Sequence, residues 1–211
     1  MSRISRRGFT AGSLAVAAAV FARRAHADPV DDAIARVARA RASLRTLVGP
    51  FTQEHTIGLL AASVRSTGTM MLVRPDRLRW ELAPPDDVVY WVTPEGLAYR
   101  SKTGQGHVGA TQSKLAASLD DLRTLLGGDL ARLRVRYDLR LVSDANGELA
   151  FAATPRDPAM PLKQIRFGLG EDGAVPRFAE LVEGARDSTR IDFGALRRDV
   201  AVDPALVRPP S

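Results

Sequence analysis

The chain has 211 residues, 13 prolines and no cysteine, and 45% of it is hydrophobic, enough for a sizeable core and too apolar for a disordered chain. Its formal charge of +6 is uneven: residues 1–27 hold Arg3, Arg6, Arg7, Arg23 and Arg24 and no acid, so the remainder carries +1. Disulfides, thiolate metal sites, cysteine nucleophiles and lipid attachment through an N-terminal cysteine are therefore excluded, and a near-neutral body leaves no basic footprint for nucleic acid.

The first segment reads as an address. Ser5-Arg6-Arg7-Gly8-Phe9 is a twin-arginine pattern, an apolar run follows from Ala11 to Phe21, and Ala25-His26-Ala27 offers small residues for cleavage. These are the three parts of a secretory signal. The run falls short of the roughly 20 residues that span a bilayer, and the paired arginines point to the twin-arginine route. The expectation is a cleaved signal over 1–27, one domain over 28–211, and a periplasmic location.

Asp28-Pro29 opens a helix: Asp28 caps it, Pro29 suits the first turn, and Asp31 and Asp32 complement the dipole. Ile34, Val37, Leu44 and Val48 recur at helical spacing, and Gly49-Pro50 is expected to end the helix. Strand signals then take over. Phe51 begins one strand, and Gly68 to Arg74 makes another, with Met70, Leu72 and Arg74 on one face. Pro75-Asp76 turns. Leu78, Trp80 and Leu82 alternate with Arg77, Arg79 and Glu81 in a half-buried strand. Val88–Thr93 and Leu97–Arg100 flank the turn Thr93-Pro94-Glu95-Gly96. Gly104-Gln105-Gly106-His107-Val108-Gly109 has a superficial likeness to a nucleotide loop, but no βαβ unit surrounds it and it reads as a mobile loop.

Ser113 to Leu126 predicts a second helix, with Leu115, Leu119, Leu122 and Leu126 along one stripe and Gly127-Gly128 at its end. Asp129 to Leu133 adds a further helical turn. A meander follows: Arg136–Val142, the turn Ala145-Asn146-Gly147, Glu148–Thr154, Leu162–Leu169, the turn Glu171-Asp172-Gly173, Val175–Val182 and Ser188–Phe193. A last turn is expected at Asp203–Leu206. The order helix, strands, helix, strands predicts an α+β fold: a strongly curved antiparallel sheet, an unclosed barrel, with helices packed on one side.

No catalytic constellation emerges. There is no nucleophile elbow, no zinc-protease motif and no phosphate-binding loop. His55 and His107 have no metal-ligand spacing and are expected at the surface. Asp86-Asp87 reads as a turn, and Asp120-Asp121 are helical neighbours that do not face each other. No catalytic residue, metal or cofactor is expected. Arg74 stands out because it shares a face with Met70 and Leu72, and burying a guanidinium is costly unless it is paired. Its tip either snorkels to the rim or bonds something inside, a helix-end carbonyl cluster being one partner.

An ordered set of segments resembles the LolA family of periplasmic outer-membrane lipoprotein carriers. Phe51-Thr52-Gln53, Ser66-Thr67-Gly68, Arg74-Pro75-Asp76-Arg77-Leu78-Arg79-Trp80, Pro84-Pro85, Leu162-Lys163-Gln164-Ile165 and Asp172-Gly173 carry it, over most of residues 30–194. The resemblance implies helices forming a lid over an apolar cavity in a non-enzymatic carrier, and a monomer is the default expectation for a diffusing shuttle. Such a carrier takes acylated lipoprotein or lipid cargo from an inner-membrane donor transporter to an outer-membrane acceptor. It also implies that Arg74 latches the lid, with Leu78, Trp80, Met70 and Leu72 in the cavity or its wall. Leu78 stands where the family often has phenylalanine, and residues 104–134 do not align. The cargo is therefore left open between lipoprotein and another acylated molecule. A periplasmic sensor that binds a protein on the same scaffold, and a hydrolase with an unrecognised site, are the other two function classes.

Overall fold

The computed structural model describes residues 28–109, 113–145 and 148–210. The signal over 1–27 and the Asn146-Gly147 part of one predicted turn lie outside them. Twelve strands form one sheet, every pairing antiparallel. Strands β1 (Thr46–Ile57), β2 (Ala62–Val73), β3 (Arg77–Leu82), β4 (Val88–Thr93), β5 (Gly96–Ser101) and β6 (Gly104–Gly109) run outward in sequence. On the other side of β1 come β11 (Ser188–Phe193), β10 (Pro176–Val182), β9 (Gln164–Leu169), β8 (Glu148–Pro155) and β7 (Tyr137–Ala145). β6 and β7 are the two edges and do not pair with each other, so the barrel is unclosed.

Helices α1 (Pro29–Ala40), α2 (Lys114–Gly127) and α3 (Leu130–Arg136) share one core cluster with the inward face of the sheet. Val37 of α1, Leu122 and Leu126 of α2, and Met70, Leu78, Phe151 and Phe167 of the strands are all buried in it. Phe51 stacks on Trp80 with centroids 3.7 Å apart, and the Phe51 ring lies over Gly68, where a Cβ would come within 2.5 Å of it. Glycine at 68 is thus what lets the aromatic pair lie flat on the sheet. On the outward face, Val89, Trp91 and Ala98 form a second cluster. The Trp91 Nε1–H donates to the Leu206 carbonyl at 2.9 Å, in a C-terminal 3₁₀ turn at Pro204–Val207.

Two expectations are corrected. The first helix stops at Ala40, and Leu44, Val48 and Gly49-Pro50 belong to the approach to β1 or to β1 itself. Pro50 is tolerated there because β1 changes partner at that point: Leu47 and Val48 pair with β12 (Arg197–Arg198), and pairing with β11 begins at Phe51. The missing N–H falls between two ladders, while the Pro50 carbonyl still accepts from Gly194 N–H at 2.9 Å. The segment Gly104–Gly109 is an edge strand, not a loop, in register with β5 from Ser101↔Gly104 to Gly96↔Gly109.

Candidate functional site

Strand alternation decides which side chains can meet the helices. Gln53 and His55 of β1, Trp80 and Leu82 of β3, Tyr90 of β4, Leu181 of β10, and Thr189 and Ile191 of β11 all fall on the helix-facing side. Together with Lys114, Leu115, Ser118, Leu119 and Leu122 of α2 they enclose a cavity of about 450 Å³. That size lies within the roughly 300–1,000 Å³ of small-ligand sites. Its walls are leucine, isoleucine and aromatic rings. Its polar groups sit toward one end: His55 Nδ1 lies 2.9 Å from Thr189 Oγ1, and Gln53, Glu183 and Lys114 complete the rim. Burial raises the pKa of Tyr90 above the ordinary phenol value, with Asp86 adding to it, so the Tyr90 hydroxyl stays neutral. A larger groove, about 740 Å³, opens on the other face of the sheet, where Thr52, Thr69, Glu81 and Asp192 point. Phe51, Leu82 and Phe193 border it as well, but its share of polar wall is larger than that of the cavity beneath α2, which makes it the poorer apolar site.

Helix α2 forms the roof. Ser113 caps its start by accepting from Ala116 N–H at 3.0 Å, and Gly128 ends it in the left-handed conformation at φ +79°. Exposure falls along the cavity-facing side from Leu115 (48%) to Ser118 (5%), Leu119 (7%) and Leu122 (1%). The mouth is therefore at the N-terminal end of α2 and the floor toward its C-terminal end.

Two arginines stand at the closed end. Arg74 follows β2, and its Nη1 donates to the carbonyl of Arg41, just past α1, and to that of Leu44 at 3.0 Å. Arg41 is only 1% exposed. Its Nε donates to Ala174 O at 2.8 Å, and its Nη1 to Leu125 O and Leu126 O at 2.9 Å each. The last carbonyls of α2 thus end on a guanidinium, which also complements the helix dipole. Desolvation, then repulsion from Arg74, lowers the Arg41 pKa to about 10, against a pull upward from Asp172, so the group remains cationic at neutral pH. Of the five residues singled out in the sequence, Trp80 lines the cavity, Met70, Leu72 and Leu78 are buried in the adjoining core, and Arg74 sits at the α1 end.

Nothing in the local sequence marks Arg41: it is the residue just past α1, and its partners, Ala174, Leu125 and Leu126, are distant in the chain. Leu181, Ile191 and Tyr90 were legible as strand residues; their convergence beneath α2 was not. Asp120 and Asp121 take separate partners: Asp120 meets Arg123 at 2.5 Å, and Asp121 meets Arg136 at 2.6 Å and the Tyr137 hydroxyl at 2.5 Å. Among the described residues no group of three or more His, Cys, Asp or Glu could hold a metal. No helix there is long and apolar enough to cross a membrane.

The profile of the family described as "Outer membrane lipoprotein carrier protein LolA" matches residues 42–208. This chain belongs to the LolA family. An outer-membrane lipoprotein carrier protein of Alkalilimnicola ehrlichii is 31% identical over 178 residues, 81% of this chain and 76% of that one. One from Dechloromonas aromatica is 26% identical over 173 residues, 78% and 76% of the two chains. Among solved structures, a LolA-superfamily protein from Nitrosomonas europaea aligns with a TM-score of 0.45 and 9% identity, covering 84% of this chain and 96% of that one. The matched span runs from just past Arg41 to beyond the 3₁₀ turn, so it includes every strand and all of α2 in this LolA-family chain.

Proposed function

We propose that the protein is a periplasmic carrier that shelters acyl chains of lipoproteins, or of a related acylated lipid, beneath α2 and shuttles them from an inner-membrane donor to an outer-membrane acceptor. The observation that carries this reading is the apolar cavity of about 450 Å³ between α2 and the sheet. The task is one of binding, without catalysis. Membrane anchoring is worth about 0.8 kcal/mol per methylene, so a sixteen-carbon chain holds on with about 12 kcal/mol and does not cross water unaided. A carrier must match most of that energy and still let go. Helix α2 suits both needs: its leucines supply apolar area, and its N-terminal end borders the mouth while its C-terminal end is tied down by Arg41. Arg74 holds the segment from which Arg41 projects, so it acts on the lid through Arg41.

Uptake of 11-(dansylamino)undecanoic acid, read as a fluorescence rise, tests the reading. The wild type is expected to bind the probe, and Leu119→Trp, which fills the roof of the cavity, is expected to lose it. Equal uptake by the two, with Leu119→Trp folded, would place the acyl site elsewhere. Arg74→Leu is expected to alter the rate at which bound probe is released to vesicles; an unchanged rate would remove Arg74 from the lid's control.

A further inference from the structure

One polar atom in this cavity has no use within the protein. Ser118 lies on the cavity side of α2 among Leu115, Leu119 and Leu122, is 5% exposed, and its hydroxyl oxygen has no hydrogen-bond partner. A buried hydroxyl without a partner is unfavourable. A serine inside a helix has a ready remedy, donation to the carbonyl four residues back. Thr124 of the same helix does this, its Oγ1–H reaching Asp120 O at 2.9 Å. Ser118 does not. The polar side chains on the facing strands do not supply the bond either: His55 is engaged with Thr189, and Gln53, Tyr90 and Glu183 make no hydrogen bond to Ser118.

The position of Ser118 along the cavity gives this atom a direction. Lys114 is one helical turn closer to the mouth on the same face, and Leu122 is one turn deeper. A turn is about 5.4 Å. A ligand group bonded to Ser118 therefore sits about 5.4 Å inside the mouth, with apolar wall beyond it and the polar rim of Lys114, His55 and Gln53 behind it. That is the layout of an acyl group: a carbonyl acceptor at the junction between a hydrocarbon tail and a polar head.

We propose that the cavity takes an acyl group joined through an ester or amide carbonyl, and that Ser118 reads the carbonyl by donating its hydroxyl proton. The tail runs past Leu122 and Trp80, and the head leaves beside Lys114. This assignment rests on the carrier reading and adds to it the chemical class of the ligand and the residue that selects it.

The test compares two competitors of equal length, methyl palmitate and 1-methoxyhexadecane, which differ only in the carbonyl oxygen. Both displace the dansyl probe from the full-length protein. The wild type is expected to prefer the ester about tenfold, equivalent to about 1.4 kcal/mol. Ser118→Ala is expected to bind the two alike, and Ser118→Thr, which keeps the hydroxyl, to retain the preference. The thermal midpoint of empty Ser118→Ala should equal or exceed that of the wild type, since the lost hydroxyl made no bond. A wild-type ratio near one, or a preference that survives Ser118→Ala, overturns the role of Ser118 and leaves the carrier reading standing. Failure of both competitors to displace the probe, or of the probe to bind, overturns the carrier reading and this inference with it.

Discussion

Replacing Arg41 by methionine keeps most of the apolar stem and removes the guanidinium. Three carbonyls lose a donor: Leu125, Leu126 and Ala174. Leu125 O retains the Gly128 N–H at 3.0 Å, so two of the losses matter most. Hydrogen bonds to a charged group contribute about 1.5–3 kcal/mol each, so about 3–6 kcal/mol is at stake. Part of this is offset, because the cation is itself disfavoured there. Its pKa is driven down to about 10 by burial, and Nη2 is buried without a partner. A net loss of about 2–4 kcal/mol follows, which for a chain of this size lowers the thermal midpoint by about 5–12 °C. Calorimetry measures the midpoint, and amide hydrogen exchange measures where the loss falls. Exchange at Leu125–Gly128 should accelerate more than exchange in β2 or β9, because the guanidinium holds the end of α2 and not the sheet. A midpoint within about 2 °C of wild type, or loosening spread evenly over the sheet, would refute the assignment of Arg41 as the anchor of α2.

Three further outcomes are expected. Trp80→Ala removes a buried ring stacked on Phe51 and edge-on to Phe193, and should cost about 3–5 kcal/mol in denaturant unfolding; a loss below about 1 kcal/mol would mean the core refills around it. Gly128→Ala forces an L-residue to φ +79° and sets a Cβ 2.4 Å from Arg41 Cδ, so it should lower stability by more than the roughly 1 kcal/mol of a left-handed cap alone, and the excess should vanish when Arg41→Met is added. Burial holds the Asp121 carboxyl above its ordinary range, while the Tyr137 hydroxyl and Arg136 pull it back. With the folded-state pKa raised, the carboxyl's stabilising contribution is complete below the unfolded value of about 3.9 and is lost as pH rises through the folded value. The stability of wild type relative to Asp121→Asn should therefore fall with rising pH from about 4 and then level off; a difference that grows over that range would contradict the sign.

The sequence was most readable where one physical cause acts alone. β3 shows alternation, with Leu78, Trp80 and Leu82 buried, and α2 shows its cap, stripe and terminal glycine. It misled where two causes overlap. Leu44 and Val48 continue the period of α1 by coincidence, yet the chain there is captured by β2, in register from Thr46↔Val73 onward. Tertiary pairing overrides local periodicity in such a stretch. The Gly104–Gly109 strand carries almost no side-chain signal, because its place is set by backbone bonds to β5. The site was legible only in part for the same reason. Trp80 and Arg74 are marked by composition within one segment, whereas the cavity is assembled from five separate strands and α2. Arg41 and Ser118 acquire meaning only from the carbonyls near one and the missing partner of the other.

Acyl chains are expected to occupy the space beneath α2 in the cell. Native mass spectrometry of the protein released gently from its native cells tests this most directly. The expected result is an added mass that organic solvent strips away, that fragments to an acyl group, and that is lost in Leu119→Trp. A clean mass for the protein alone, together with no uptake of the dansyl acyl probe, would contradict it.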